Sequence, residues 1–115
     1  MTKIDRFEDI MAWQKAKLMT VMIYGLFEQC KDFCFKDQIQ RASVSVMNNI
    51  AEGFERKTNN EFKQFLFIAK GSCGEVRSML YLSKELKKID ETCFNDLFNQ
   101  SEEISKMLSG LIKTL

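Results

Sequence analysis

Apolar residues recur along this chain every three or four positions, in four long segments that short polar stretches separate. This spacing places the apolar side chains of a segment on one side of an α-helix, whereas a half-buried strand would alternate at every second position. The pattern therefore predicts four helices. They cover residues 5–28, 36–56 and 58–87, and the last begins near residue 90.

Local signals predict where these helices begin. Asp5 and Glu8 have the spacing of an N-cap residue and its partner in the first turn, which predicts the start of the first helix. Thr58 and Glu61 repeat that capping-box spacing before the third helix. Asp90 suits the start of the fourth helix, because a negative charge there is favoured by the helix dipole.

Composition favours a helical bundle. The chain of 115 residues has no proline and only five glycines, whereas a chain rich in tight turns needs both. Its residues are 45% hydrophobic and 29% charged, which is typical of a globular protein. Four long helices with short connections pack as an antiparallel up-and-down bundle. We therefore expect one all-α domain over residues 1–115.

The second predicted helix carries a polar stripe beside an apolar seam. Its polar members are spaced three or four residues apart, so their side chains lie along one helix face. Several of these side chains are short, which favours a packed polar interface; a solvated face is the alternative. The stripe consists of Gln38, Arg41, Ser45, Asn49, Glu52 and Arg56. The seam consists of Ile39, Val46, Ile50 and Phe54.

The first predicted helix is apolar on more than one face. A helix of this kind is buried on more than one side, and a small bundle covers only one of them. We expect the surplus to form a subunit interface; a helix central to its own bundle is the alternative. The apolar residues are Ile10, Met11, Trp13, Leu18, Met19, Val21, Met22, Ile23, Tyr24, Leu26 and Phe27.

The third predicted helix has two glycines in its middle, Gly71 and Gly74. Each costs about 1 kcal/mol relative to alanine in a helix, so their presence needs a reason. We expect another backbone to approach closely there; a break in the helix is the alternative. The residues predicted to face the core are Phe62, Phe65, Leu66, Ala69, Val76, Met79, Leu80 and Leu86.

Charge is balanced overall but uneven along the chain. The formal net charge of +1 gives no global attraction to nucleic acid or to a membrane. Residues 58–88, however, hold six basic residues against three acidic ones. Lys63, Lys70 and Arg77 are seven residues apart, so they lie along one helix face and form the candidate nucleic-acid surface. A merely solvated face is the alternative.

The residue types present argue against catalysis. The chain has no histidine, the commonest general base and a frequent metal ligand, and it lacks the glycine-rich phosphate loops. Cys30 and Cys34 have no second pair at a zinc-site spacing, so we expect free thiols. We predict no enzyme activity, no catalytic residue, no cofactor and no metal site.

The beginning of the chain is too charged for a signal peptide, and its longest apolar run, Leu18–Phe27, is too short to cross a bilayer. We expect a soluble cytoplasmic protein that does not contact the membrane.

Several sequence blocks together resemble one known family. They are Phe7–Ile10, Trp13–Ala16, Gln38–Ser45, Asn49–Gly53, Glu61–Phe62, Phe65–Leu66, Ile68–Ser72 with Glu75, and Met107–Ile112. Taken together, they resemble the four-helix bundle proteins encoded in intervening sequences of large-subunit (23S) rRNA genes. The chain departs from that family at Gln29–Cys34, where a proline-bearing loop is usual.

The resemblance implies an up-and-down bundle that carries a ribosomal-protein-like label, forms a ring-shaped homopentamer and has no established molecular function. It further implies kinship with the accessory variability protein of diversity-generating retroelements, which works with nucleic acid through a basic surface.

Two functions are therefore expected to compete. The first is a homo-oligomeric accessory protein that binds RNA or DNA. The second is a structural or adaptor oligomer that binds only protein partners.

Overall fold

The computed structural model describes residues 4–115, which form four α-helices and one short 3-10 helix. The α-helices are α1 (Met11–Leu26), α2 (Phe33–Phe54), α3 (Asn59–Glu85) and α4 (Glu91–Lys113), and the 3-10 helix spans Phe7–Asp9. Both α1 and α3 pack against α2 and α4, so α1 and α3 occupy diagonal corners of the bundle. Short loops join successive helices, which therefore run antiparallel. The predicted all-α four-helix bundle is confirmed.

Three of the four helices begin at a side-chain cap that satisfies a backbone N–H of the first turn. Asp32 caps α2 by accepting a hydrogen bond of 3.2 Å from the backbone N–H of Phe35. Thr58 caps α3 by accepting one of 3.1 Å from the backbone N–H of Glu61, as the capping-box spacing predicts. Asp90 caps α4 in the same way, with a bond of 2.8 Å.

Two predicted helix starts are wrong. Asp5 and Glu8 do not cap a helix, because the Glu8 carboxylate lies 3.0 Å from the guanidinium of Arg6 and the chain first forms the 3-10 turn. The helix α1 consequently begins at Met11. The second helix begins at Phe33, three residues earlier than predicted, because Asp32 supplies its cap.

The core lies along the bundle axis, where each α-helix contributes one buried stripe. The seam of α2 is confirmed at Ile39, Val46 and Ile50, which are fully buried, while Phe54 is half-buried. Burying each large side chain contributes about 1.5–3 kcal/mol. The other large, fully buried residues are Met19, Ile23, Phe27, Leu66, Val76, Leu80, Leu97, Ile104 and Leu108.

No helix within residues 4–115 combines the length and the apolar character needed to cross a bilayer.

One predicted core residue of α3 is not in the core. Leu86 is 53% exposed, because α3 ends at Glu85 and the helical period does not extend past that residue. Phe65 is half-buried, and the other residues predicted to face inward on α3 are buried. Cys73 is fully buried although it was not among those predicted.

The C-terminus of α3 is closed by a Schellman motif. Lys87 has a φ of 59°, in the left-handed region. Its backbone N–H donates to the carbonyl of Lys84 at 3.0 Å, and the N–H of Lys88 donates to the carbonyl of Ser83 at 2.8 Å. These two bonds satisfy carbonyls that the helix leaves without partners and turn the chain toward α4.

The helical glycines differ in what surrounds them. A Cβ at Gly53 of α2 would lie 2.6 Å from Cβ of Phe65, so this glycine permits the close contact between α2 and α3. A Cβ at Gly71 would meet nothing within 4 Å, and one at Gly74 would meet only the guanidinium of Arg77 at 3.8 Å. The helix α3 runs unbroken through both. Within residues 4–115, neither the expected close approach of a backbone nor the alternative break in the helix is present at these two positions.

Candidate functional site

The middle of the polar stripe is packed against α3. Ser45 Oγ lies 2.9 Å from Oγ of Ser72, which joins the two helices. The side-chain amide of Asn49 donates to both the hydroxyl and the carbonyl of Ser45, at 2.9 and 2.8 Å. All three side chains are half-buried. These hydrogen bonds form within one chain, so this part of the stripe stabilises the bundle itself.

The two ends of the polar stripe are exposed. Arg41 pairs with Asp37 at 2.8 Å, and Arg56 pairs with Glu52 at 3.1 Å, each one helical turn away. The guanidinium of Arg56 also lies 4.8 Å from the centroid of the Phe65 ring. Exposed pairs of this kind contribute about 0–1 kcal/mol each. Gln38 is exposed as well. Within residues 4–115, the hydrogen bonds that join the stripe to another helix therefore involve only its middle.

The three basic residues of the candidate nucleic-acid surface lie on the side of α3 that faces α4. Arg77 defines this side, because its guanidinium donates to the carbonyl of Ser101 on α4 at 3.5 Å. Seven residues make nearly two full helical turns, so Lys70 and Lys63 lie on the same side. All three residues are half-buried. Within residues 4–115, none of the three forms an ion pair within 4.0 Å.

A shallow depression of about 140 Å³ continues this basic row onto α4. Arg77 and Lys106 line it from two helices, together with Ser105 and Glu102. The Glu102 carboxylate partly offsets the two positive charges. Further along α3, Lys84 is already engaged, since its amine lies 3.6 Å from Glu91. The unpaired positive charge is thus concentrated between residues 63 and 77 of α3.

The outer side of α1 exposes several large apolar side chains. Six apolar side chains of α1 are between 38% and 64% exposed, namely Met11, Leu18, Val21, Met22, Tyr24 and Leu26. Leu18, Val21 and Met22 line an apolar groove of about 350 Å³ along α4. The surplus of apolar residues that the sequence shows on the first helix is therefore not covered by the bundle.

The outer side of α3 is a second exposed apolar surface, which was not predicted from the sequence. Phe67, Ile68 and Leu82 are 48%, 52% and 47% exposed. Ile68 and Leu82 share one helix face, but Gly71, Glu75 and Ser78 stand between them on that face, so the sequence shows no apolar period there. The two apolar surfaces lie on diagonal corners of the bundle.

The four thiols differ in how far they are accessible. Burial raises the pKa of the Cys73 thiol to about 12, so this sulfur is protonated at neutral pH. Cys34 is exposed, while Cys30 and Cys93 are half-buried, and all four are free. Among residues 4–115, no three potential metal ligands of the cysteine and carboxylate type lie together.

Comparison with known proteins identifies relatives of this bundle. The family described as "23S rRNA-intervening sequence protein" matches residues 8–110. The chain is also similar to a crystal structure from Bacteroides thetaiotaomicron, described as a protein with unknown function from the S23 ribosomal protein family. The two are 27% identical over 89% of this chain and 95% of that one, with a TM-score of 0.82. No curated protein matches the chain in sequence.

Proposed function

Because the chain belongs to the 23S rRNA-intervening sequence protein family, we propose that it is a non-enzymatic, cytoplasmic homo-oligomer, a ring of five copies, that binds RNA or DNA as an accessory protein. The observation that carries the proposal is the row of Lys63, Lys70 and Arg77, which faces α4 and forms no ion pair within residues 4–115. The number of copies in the ring, five, is what the resemblance to the family implies.

Assembly multiplies a weak local charge. The chain alone has a net charge of +1, which gives little attraction to a polyanion. A closed ring repeats the basic row once for each copy, at fixed spacing. The apolar surfaces of α1 and α3 supply the contact area for such a ring, because soluble proteins seldom leave large apolar patches uncovered.

The row suits contacts with a phosphate backbone. Successive members are seven residues apart, which is about 10.5 Å along the helix axis. Lysine and arginine bind phosphates largely through charge, so such binding tolerates many sequences and weakens as salt rises. Two exposed aromatic residues, Phe67 and Tyr81, lie one helical turn from Lys63 and Arg77, and stacking of bases on such rings tolerates many sequences. We therefore expect binding through the backbone, without a preference for particular bases.

The test measures binding to a structured RNA and a DNA duplex by fluorescence anisotropy at several salt concentrations. For the duplex, log affinity should fall with log salt by about 0.9 for each phosphate neutralised. The triple variant Lys63→Glu, Lys70→Glu, Arg77→Glu should lose binding. The triple variant Lys31→Glu, Lys57→Glu, Lys87→Glu makes the same charge change at exposed loop positions and should retain most of it.

One observation favours a second function, that of an adaptor that binds only proteins. Arg77 donates to a carbonyl of α4 and shares its depression with Glu102, so part of its charge is used within the chain. If the intact oligomer binds neither nucleic acid at low salt, the nucleic-acid proposal is wrong and the adaptor function stands. Equal loss of binding in both triple variants would show attraction by net charge alone and would reject the row.

A further inference from the structure

One face of α3 combines basic and aromatic side chains. Its members are alternately four and three residues apart, so they stay on the same side of the helix along most of its length. The positions are Lys63, Phe67, Lys70, Gly74, Arg77, Tyr81 and Lys84. We call this set the basic–aromatic face. It contains the basic row described above and adds two rings to it, one near each end.

Both rings of the basic–aromatic face are open to solvent. Phe67 is 48% exposed, and within residues 4–115 it pairs with no other aromatic ring. Tyr81 is 56% exposed, and its ring centroid lies 5.5 and 5.3 Å from those of Phe94 and Phe98 on α4. These contacts hold the Tyr81 ring in place and leave more than half of the residue accessible. Exposed rings beside cations are the groups on which unpaired bases stack.

The charges on either side of Phe67 are not offset by nearby acidic residues. Lys63 lies one turn before this ring and Lys70 one turn after it. Glu61 is two residues before Lys63 and Glu75 is five residues after Lys70, which places both carboxylates on other sides of the helix. The part of α4 that runs past these lysines, residues 104–115, holds no acidic residue.

Tyr81 has a more balanced surrounding. It lies between Arg77 and Lys84, each one turn away. From α4, Glu91 lies 3.6 Å from the amine of Lys84, and Glu102 lines the depression beside Arg77. The end of the face around Phe67 therefore carries most of the attraction for an anion.

The basic–aromatic face is separate from the apolar side chains that the proposed ring of copies would cover. Ile68 directly follows Phe67 and Leu82 directly follows Tyr81, so each apolar residue points about 100° further around the helix than the ring before it. Assembly through Ile68 and Leu82 thus leaves the two rings available to a ligand.

The rings select the form of the nucleic acid. Charge alone favours a duplex, which carries one negative charge per about 1.7 Å of its axis, twice the density of one strand. In a duplex, however, the bases already stack on one another, and a surface ring meets only the backbone. An unpaired strand offers both phosphates and base faces, and each base stacked on an aromatic side chain strengthens its binding.

We propose that the basic–aromatic face binds single-stranded nucleic acid in preference to duplex, with bases stacked on Phe67 and Tyr81 and phosphates held by the basic row. This inference rests on the nucleic-acid binding proposed above. Phosphates and base faces are common to RNA and DNA, so both kinds of single strand should bind about equally.

The first test uses the wild-type protein and fluorescence anisotropy. Its probes are oligo(U) and oligo(dT) of about 16 nucleotides, a duplex of the same length, and an abasic DNA strand with the same number of phosphates. Both homopolymers should bind at least about tenfold more tightly than the abasic strand, and more tightly than the duplex. Equal affinity for the homopolymers and the abasic strand, or tighter binding of the duplex, would overturn the inference and leave the proposed function standing.

The second test removes the rings and keeps apolar side chains in their place. Phe67→Leu, Tyr81→Leu should lower the affinity for both homopolymers by about tenfold and leave duplex binding unchanged. The matched control Phe33→Leu, Tyr24→Leu changes the same residue types at positions on α2 and α1 that are 70% and 45% exposed, and it should bind like wild type. Circular dichroism checks that both variants keep the helicity of wild type. Phe67→Trp keeps a ring and should retain binding.

Equal loss of single-strand binding in the two double variants, or no loss in either, would overturn the inference. A wild-type protein that binds no nucleic acid at low salt would overturn the proposed function and this inference with it.

Discussion

Ser45 Oγ and Ser72 Oγ lie 2.9 Å apart across the contact between α2 and α3. The Ser45 hydroxyl also accepts a hydrogen bond from Asn49, so it is engaged twice. The polar stripe that the sequence indicates is therefore, in its middle, a contact inside the bundle. Substitutions in the middle of the stripe should therefore primarily lower the free energy of unfolding.

Ser45→Ala should lower the free energy of unfolding by about 0.5–1.5 kcal/mol per hydrogen bond lost, and more than Ser72→Ala does. The reason is that only Ser45 bonds two partners. Urea unfolding of both single variants and the double variant gives the coupling energy. Strict additivity of the two substitutions would show that the hydroxyls do not interact.

Gly53→Ala should destabilise the bundle by about 1–3 kcal/mol, because the added Cβ would lie 2.6 Å from Cβ of Phe65. The carbonyl of Phe62, 3.3 Å away, also limits how far the helix can move. Gly110→Ala is the matched control and should be neutral or stabilising by up to about 1 kcal/mol. Urea unfolding at one protein concentration measures both, and equal effects would contradict the close contact of α2 with α3.

Acid should destabilise the protein through two helix caps. The backbone N–H of Phe35, and then Lys88, lower the pKa of Asp32 below its ordinary value of 3.8, and the N–H of Cys93 lowers that of Asp90. Because each carboxyl has a lower pKa in the folded state than in the unfolded state, its stabilisation of the fold is complete above pH 3.8. That stabilisation is lost as pH falls through the pKa of the folded protein.

The variant Asp32→Asn, Asp90→Asn keeps an oxygen at each cap and removes the titration. Its urea midpoint should change less than that of wild type as pH is lowered from neutral through this range. Parallel pH profiles for the two proteins would show that neither cap titrates with folding.

The four thiols should react at very different rates. The pKa of Cys73 is raised to about 12 by burial, so almost none of it is thiolate at pH 8, and reagents cannot reach it. Cys34 is exposed and should be alkylated first. Mass spectrometry after timed alkylation identifies the sites, and unfolding in urea should make Cys73 reactive. Rapid labelling of Cys73 in the folded protein would contradict its place in the core.

A helix start is predictable from the sequence where its signal is local. The Thr58 cap depends only on the hydroxyl and the N–H of Glu61 three residues later, so its spacing identifies it. The same spacing at Asp5 and Glu8 failed because Arg6 is a better partner for the carboxylate than the helix backbone. The loop predicted between residues 28 and 36 includes Asp32, although an aspartate directly before Phe33 is itself a cap signal.

The features that were missed depend on tertiary structure. Leu86 continues the apolar period of α3, yet the helix ends one residue before it, so that its side chain turns outward. The spacing of Leu66, Ala69, Cys73 and Val76 did contain the buried stripe. The neighbouring helices decide which apolar residues of α3 are covered. No period along the sequence specifies where those helices lie.

The most direct test of the account is the mass of the intact protein in solution. Light scattering on the purified wild-type chain at micromolar concentration should give a multiple of the chain mass of 13.4 kDa, and five times that mass for the proposed ring. The proposed ring predicts this because the bundle alone leaves the apolar outer surfaces of α1 and α3 uncovered. A mass of 13.4 kDa at that concentration would contradict the homo-oligomer on which the proposed function rests.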